Sequence, residues 1–429
     1  MVSIGIVGFG EFSQGFVELY KVHPDIGYIA GAELIPERRE KIMEEYGIDA
    51  MYSDFDTMLR DDKEINCVAI FTQRHQHGPM IIKALEAGKH VFTAVPMGCT
   101  VEEIKEIIRI VEEKRLIFMV AETCYYFPCA IYCREKYKNN EFGKFIYGAS
   151  QYYHDINEMF KSFQSLGDNW KRVAGIPPMY YSTHSMSMLF SAIEDYPTEV
   201  SCQGYEDTVG DGIYGVGNND WDNPFSNEIG MFKMSKGGFV RINEFRRIGT
   251  LKPSSYISGI YGENGAYECS GMQHMLVKGI LPEDNKDIED PGDLLNTIEY
   301  VKNKENLTLK DSCIDWKYTI GYSKIHDIER LPKYFRNLEE WSKCPSLVTG
   351  HNGSHAFLVD DFVRAVVSGK LPPNNAWESA TYTIPGIIAH DSAVQGGKTL
   401  EIPFLGNPPE DWERLTFEHK EHYEDEQEV

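Results

Sequence analysis

The histidines and tyrosines of this chain fall at spacings suited to moving protons. Tyr181 and His184 are three residues apart, so on one helical turn both side chains can face the same cleft. His154 stands beside Asp155 at the end of an aromatic run, where an imidazole held by a neighbouring acceptor can serve as acid or base. His351 and His355 are four apart at the start of a helix-like stretch, and a helix N-terminus favours the neutral imidazole, a base. Cys124, Cys129 and Cys133 are spaced five and four apart with no companion pair, and no glutamate lies between His351 and His355. Buried thiols are the expectation there, and no metal site is expected.

The elements that must position these groups begin with an apolar strand at residues 2–7, then Gly8, Phe9, Gly10, Glu11, Phe12 and Ser13 opening a helix. The first glycine permits the tight turn and the second lets the backbone approach a pyrophosphate. Ser13 takes the third position, where a small residue packs helix on sheet. Gly8, Gly10, Glu11 and Phe12 are therefore expected to line a dinucleotide. Glu33 ends the next strand, 25 residues beyond Gly8, where its carboxylate can accept from the ribose 2′-OH of NAD and repel the 2′-phosphate of NADP. Arg38 or Arg39, in a helix over 36–46, can stack on adenine. A third strand, 65–72, ends at Thr72 on the crevice side, and His75 or His77 beyond it either touches the nicotinamide ribose or caps the next helix. Pro96 follows a strand at 89–93. Glu122 follows another at 116–121, near the same crevice. This strand–helix rhythm is that of a doubly wound parallel sheet, a Rossmann domain over residues 1–125 with NAD as its cofactor.

The rhythm changes beyond residue 125. A helix at 128–139, a strand at 145–153, a helix at 179–192 and strands near 199–205, 228–234, 238–245, 255–261 and 265–269 predict an α+β domain. It is built on a large, mostly antiparallel sheet, spans 126–410, and serves substrate binding and oligomerisation. The run RINEFRR at 241–247 alternates as a strand does, with Arg241, Asn243 and Phe245 on one face and Ile242, Glu244 and Arg246 on the other. Trp170, Asn218, Asn219, Trp221, Asn227, Asn243 and Arg246 offer the rings and convergent polar groups that bind sugars. A phosphorylated, an acidic and an aminated sugar all fit that inventory. Residues 281–310 read as a surface insertion, helices are expected over 355–367 and 376–396, and 411–429 as an acidic tail.

Bulk properties narrow the classes. With 429 residues the chain is long enough for two cores, and a hydrophobic share of 42% with 25% charged residues is that of a globular protein. The net charge of −24, without a basic cluster, speaks against a nucleic-acid partner. No run approaches a membrane span and the N-terminus lacks the layout of a secretory signal, so no membrane association is expected. Nine scattered cysteines fit a cytoplasmic setting better than a disulfide scaffold.

The glycine turn, Glu33, the strand ending before Thr72, AGKHV at 87–91 and Pro96 together resemble the glucose–fructose oxidoreductase / inositol dehydrogenase / MocA family. Where its dehydrogenases carry Glu-Lys-Pro, this chain has Ala94, Val95 and Pro96. The usual catalytic lysine is thus replaced, and so is the usual aspartate four residues before the catalytic histidine, where Tyr180 stands before His184. Val95-Pro96 is instead similar to the Glu-Val-Pro of a branch of NAD-dependent glycoside hydrolases of the α-N-acetylgalactosaminidase type. Further segments resemble that branch: Ala121 through Tyr125, Phe142-Gly143-Lys144 with Tyr152-Tyr153-His154-Asp155, Tyr180-Tyr181-Ser182-Thr183-His184 and His351-Asn352-Gly353. The resemblance implies a carbohydrate substrate, His184 as the retained catalytic histidine with Tyr181, His154 and His351 around it, and pairing of copies through the second domain's sheet as a dimer or tetramer. It implies one of two reactions: oxidation of a ring hydroxyl carbon by NAD, or a hydrolytic cycle in which that oxidation is transient. A nucleotide- or sugar-binding protein without catalysis is a third possibility, favoured by Val95 and Tyr180 and opposed by the histidines.

Overall fold

The computed structural model describes residues 1–159, 163–164, 167–248, 254–270, 273–278, 298–300, 351 and 354–416. The chain forms two compact units. One comprises Met1–Thr123, Asp327–Ala380 and Leu405–Val429; the other comprises Cys124–His326 and Thr381–Phe404. The chain therefore returns to its first unit after leaving it, which a division into consecutive blocks at 125 and 410 does not capture. Of the segment expected to be an insertion, only 298–300 lie among the described residues, as an edge strand.

In the first unit, six strands run in the order β3-β2-β1-β4-β5-β6. They are β1 (Val2–Val7), β2 (Ile26–Ala32), β3 (Ala50–Tyr52), β4 (Cys67–Ile70), β5 (His90–Thr93) and β6 (Phe118–Val120), and every pairing is parallel. This is the strand order of a dinucleotide-binding sheet, whose order reverses between β1 and β4. β4 is buried along its whole length, which explains its unbroken apolar text. The helices are α1 (Glu11–Val22), α2 (Pro36–Tyr46), α3 (Phe55–Asp61), α4 (Arg74–Glu86) and α5 (Val101–Lys114). β3 and α3 were not legible in the sequence, because three half-buried residues and a seven-residue helix carry little periodicity. α5 starts with a full capping box between Thr100 and Glu103. Residues at the chain's far end dock on this unit. Trp412 is buried against Trp377, and Arg115 pairs with Asp411 at 2.8 Å. The acidic tail thus begins beyond a packed segment at 411–416, and 417–429 lie outside the described residues.

The second unit carries a nine-stranded sheet among the described residues. Its centre is β7 (Phe145–Tyr153), flanked by β10 (Phe239–Phe245) in parallel and β11 (Ser254–Gly262) antiparallel. β10 continues antiparallel to β9 (Phe225–Met234) and then β8 (Pro197–Glu206). Helix α6 (Pro128–Lys138) and a helix at Thr183–Ile193 pack together, and Leu189 of the latter would meet a Cβ on Gly148 of β7. Among the described residues, the sheet thus has one face under helices and one open face. The expected helix over 179–192 is broken. Pro178–Tyr181 form a 3-10 turn, and the α-helix starts only at Thr183. The Ser182 hydroxyl donates to the Met179 carbonyl within this turn. Gly386 packs so closely on the turn that a Cβ there would collide with the Met179 carbonyl oxygen and the Ser182 hydroxyl.

Candidate active site

In the first unit the glycine turn is shaped for a ligand. Gly8 has φ +85°, and a Cβ there would lie 3.0 Å from the Phe71 carbonyl oxygen. At Gly10, the N-cap of α1, nothing stands within 4 Å of a Cβ position, and no side chain caps the helix. Uncapped N–H groups beside open space are what a pyrophosphate requires. Ser13 is fully buried and donates to the Gly10 carbonyl at 2.8 Å, so it fills the small-residue position while bracing the turn. Glu33 is fixed by accepting from the backbone N–H groups of Phe9 at 3.2 Å and Ile35 at 3.1 Å. Its carboxylate therefore faces the turn, as a partner for a ribose hydroxyl must. Arg39, rather than Arg38, reaches back to β2, donating to the carbonyls of Glu33 and Leu34 at 2.7 and 3.0 Å. Glu122 is buried just past the end of β6.

His77 is fully buried, with Nδ1 2.8 Å from the Pro96 carbonyl oxygen and Nε2 3.0 Å from that of Thr72. Burial pushes its pKa down to about 4, outweighing the two carbonyls, so the ring is neutral at pH 7. It ties the end of β4 to the segment after β5, where the Val95–Pro96 peptide is cis. Both ring nitrogens face backbone carbonyls, to one of which the neutral ring donates, so His77, expected to contact the cofactor, is placed where it shapes the loop. Phe12 packs edge-on against Phe16, Phe71, His351 and His355, so its side chain serves the core while its backbone opens the helix. His351, with φ +41°, lies 2.9 Å through Nδ1 from Nε2 of His355, at the start of the helix Ser354–Ser368. His355 is stacked on Phe16 of α1 at 4.1 Å, and burial with the neighbouring His351 pushes its pKa down. The structure thus sets His351 beside α1 in the nucleotide-binding unit.

The second unit gathers the remaining proton-handling residues. His184, second in its helix, is buried, and its ring meets Tyr181 and Tyr152 edge-on, each at 4.9 Å. The Tyr152 hydroxyl lies 2.6 Å from Nδ1 of His154, which follows β7 and is only partly buried. Burial first, and the neighbouring Tyr181 second, push the Tyr152 hydroxyl well above the usual phenol range. Arg246 completes the group. Its guanidinium carbon stands 4.9 Å over the Tyr152 ring and 4.6 Å over that of Tyr181. Glu244 lies 3.6 Å from an Arg246 nitrogen and accepts from the Ser185 hydroxyl. Behind the turn that carries Tyr181, the buried Glu228 accepts from the Met179 N–H at 2.8 Å and meets His390 Nδ1 at 2.7 Å.

Nothing in the sequence separates Tyr152 from Tyr153 as a site residue. Alternation sets Tyr152 and Tyr153 on opposite faces, and only the helix packed on Gly148 decides which face is the site. The amides expected to bind sugar are spent otherwise. Asn219 and Asn223 are buried and hold the 213–225 loop through the carbonyls and N–H groups of Ile213, Trp221, Asn223, Gly175 and Phe225. Asn218 donates to the Tyr214 carbonyl, and Asn227 accepts from the N–H groups of Arg246 and Arg247. Asn243 donates to Tyr153 on the open sheet face.

A two-unit chain with this strand order and glycine turn is a dinucleotide-binding protein of the Rossmann class. Residues 2–122 match the GFO_IDH_MocA family, described as an oxidoreductase family with a NAD-binding Rossmann fold. The match agrees with NAD as the expected cofactor. Among curated proteins, the chain is similar to a "Glycosyl hydrolase family 109 protein" from Saccharopolyspora erythraea, 27% identical over 196 residues, covering 43% of this chain and 42% of that protein. Another from Shewanella amazonensis is 29% identical over 197 residues, 43% of either chain. The matched region spans less than half the length of these relatives. Among solved structures, a levoglucosan dehydrogenase in complex with NADH and levoglucosan superposes with a TM-score of 0.69 at 17% identity, over 94% of this chain and 100% of that one. A myo-inositol 2-dehydrogenase from Lactobacillus plantarum gives 0.63 at 16% identity, over 94% and 99%. At such identities these two share the fold. Among the described residues, no helix is long and apolar enough to cross a membrane.

Proposed function

We propose that this chain is a NAD-dependent enzyme acting on a glycoside, cleaving it by a cycle in which the sugar is oxidised only transiently; plain oxidation of the sugar is the alternative. The observation that carries the reading is the cluster of His184, Tyr181, Tyr152 and His154, two proton-transferring residue types in contact within one unit, with Arg246 over the two tyrosine rings. The hydrolytic route is favoured because the curated relatives that share the sequence are named glycosyl hydrolases, whereas the dehydrogenases share only the fold.

When bound, NAD supplies the acceptance and return of a hydride at one ring carbon. The protein's residues handle the protons. His184, held between two tyrosine rings, takes the proton of the ring hydroxyl as that carbon is oxidised. The ketone acidifies the proton on the adjacent carbon, and the Tyr152–His154 pair provides a path for it from the buried phenol to the half-buried imidazole. Elimination of the anomeric substituent and addition of water then require a group that gives and regains a proton, the role assigned to Tyr181. Val95 neither donates nor accepts, so it has no part in these transfers. His351, expected among the catalytic residues around His184, packs instead against Phe12 and His355 in the nucleotide-binding unit and takes no part in the proton transfers.

We infer further that two copies pair through the open sheet face, where Tyr205, Ile229, Met231 and Phe239 are exposed on one side, and that the protein is cytoplasmic, its described cysteines being free and buried. The activity is tested with nucleotide-loaded protein and a panel of aryl glycosides and free sugars. Aryl release without accumulation of NADH is the expected result. Stoichiometric NADH with a keto product replaces the cycle by plain oxidation, and turnover of nothing, with no NAD retained, removes both. His184→Ala is expected to abolish turnover; full activity in that variant refutes its role.

A further inference from the structure

Arg246 and Arg247 are neighbours with opposite fates. Arg247 is matched by two carboxylates, Asp207 at 3.2 Å and Asp211 at 2.7 Å, and Asn227 holds its backbone. Arg246 is about 95% buried, yet among the described residues neither terminal nitrogen, Nη1 or Nη2, has a hydrogen-bond partner. Its one carboxylate neighbour, Glu244, stands at 3.6 Å, beyond hydrogen-bond distance, with one oxygen engaged by Ser185. Leaving buried N–H donors unmet costs on the order of 1–3 kcal/mol each. Yet the side chain is held firmly in place. Its backbone N–H donates to the Ser226 carbonyl and to Asn227 Oδ1, and its guanidinium carbon is pinned over two tyrosine rings. The same two rings flank His184.

We propose that Arg246 receives a carboxylate of the substrate, so that the sugar is an acidic one, a hexuronic acid or its glycoside. This rests on the reading of the His184 group as the sugar site. A hydroxyl satisfies one donor, whereas the two oxygens of a carboxylate satisfy both terminal nitrogens of one guanidinium in its own plane. Glu244 aligns the arginine before substrate arrives without occupying the donors. The Tyr152 and Tyr181 rings exclude water from the contact, which raises its value above that of a surface pair.

Nucleotide-loaded wild-type protein is assayed on 4-nitrophenyl glycosides of a hexuronic acid and of the matching neutral hexose, with binding of the two free sugars followed by saturation-transfer NMR. Charge-assisted hydrogen bonds of about 1.5–3 kcal/mol predict a preference for the acid of roughly 10- to 100-fold in kcat/KM or Kd. Arg246→Met is expected to collapse that ratio towards one. Arg246→Lys, which keeps the charge and loses the fork, is expected to retain part of it and also covers a methionine variant that fails to fold. Equal handling of acid and neutral sugar by the wild type, or a ratio unchanged in both variants, overturns the carboxylate proposal and leaves the sugar site standing. Binding of neither sugar overturns the sugar site as well.

Discussion

Glu33 shows how one residue can be read from sequence and still gain a physical reason from the structure. Its position 25 residues past Gly8 suggested a ribose partner, and its two oxygens are aimed by the Phe9 and Ile35 N–H groups. Glu33→Gln keeps the shape but loses the charge, and is expected to weaken NAD binding by about tenfold, the value of a charge-assisted hydrogen bond. Titration by NADH fluorescence checks this; unchanged affinity removes Glu33 from the nucleotide site. Arg246 is the opposite case. Alternation grouped it with Glu244, but nothing in the text distinguished an arginine spent on Asp207 and Asp211 from a neighbour with unmet donors. The asparagines were misleading for the same reason. An amide that binds a sugar and one that holds a loop are identical letters, and only the distances around Asn219 and Asn223 separate them.

At the scale of elements, His77 links β4 and α4 to the Pro96 segment. Its pKa lies near 4 in the folded protein, below the ordinary 6.5, because burial disfavours the charged ring. Between about pH 6.5 and 4 the unfolded chain therefore binds a proton that the folded chain does not, so stability from this group is present above 6.5 and lost as pH falls towards 4. His77→Gln is expected to show a shallower fall of Tm across that window than the wild type; parallel curves refute the assignment. The residue's spacing announced a cap or a ligand contact. What made it a bridge is the return of the chain at Pro96, nineteen residues away. The turn under Tyr181 has a similar origin. Pro178 marked a helix start, whereas the Glu228 carboxylate on Met179 and the tight fit of Gly386 impose a 3-10 turn before the helix. That turn, more than the spacing of three, brings Tyr181 edge-on to His184.

At the scale of the molecule, the second unit's sheet has helices on one face and an open face that carries Ile229 and Met231, each more than 40% exposed. A patch of this kind on a broad sheet is the feature expected of a subunit contact. Ile229→Lys with Met231→Lys is expected to shift the protein from dimer or larger to monomer in light scattering; a mass unchanged by the double variant, or a wild-type monomer, refutes the pairing. The sequence by itself determined the Rossmann sheet, the glycine turn and its acidic partner, because these depend on local periodicity and on a few residues close along the chain. It also marked Tyr181 and His184, which share a turn. Only the tertiary structure decided which face of β7 and β10 holds the chemistry, and that Tyr152 belongs with His154 and His184. The same holds for His351, which packs beside α1, and for Arg246, whose terminal donors stay unmet among the described residues. Each of these depends on contacts between segments tens to hundreds of residues apart, and alternation along a strand fixes opposite faces without saying which one a helix will cover.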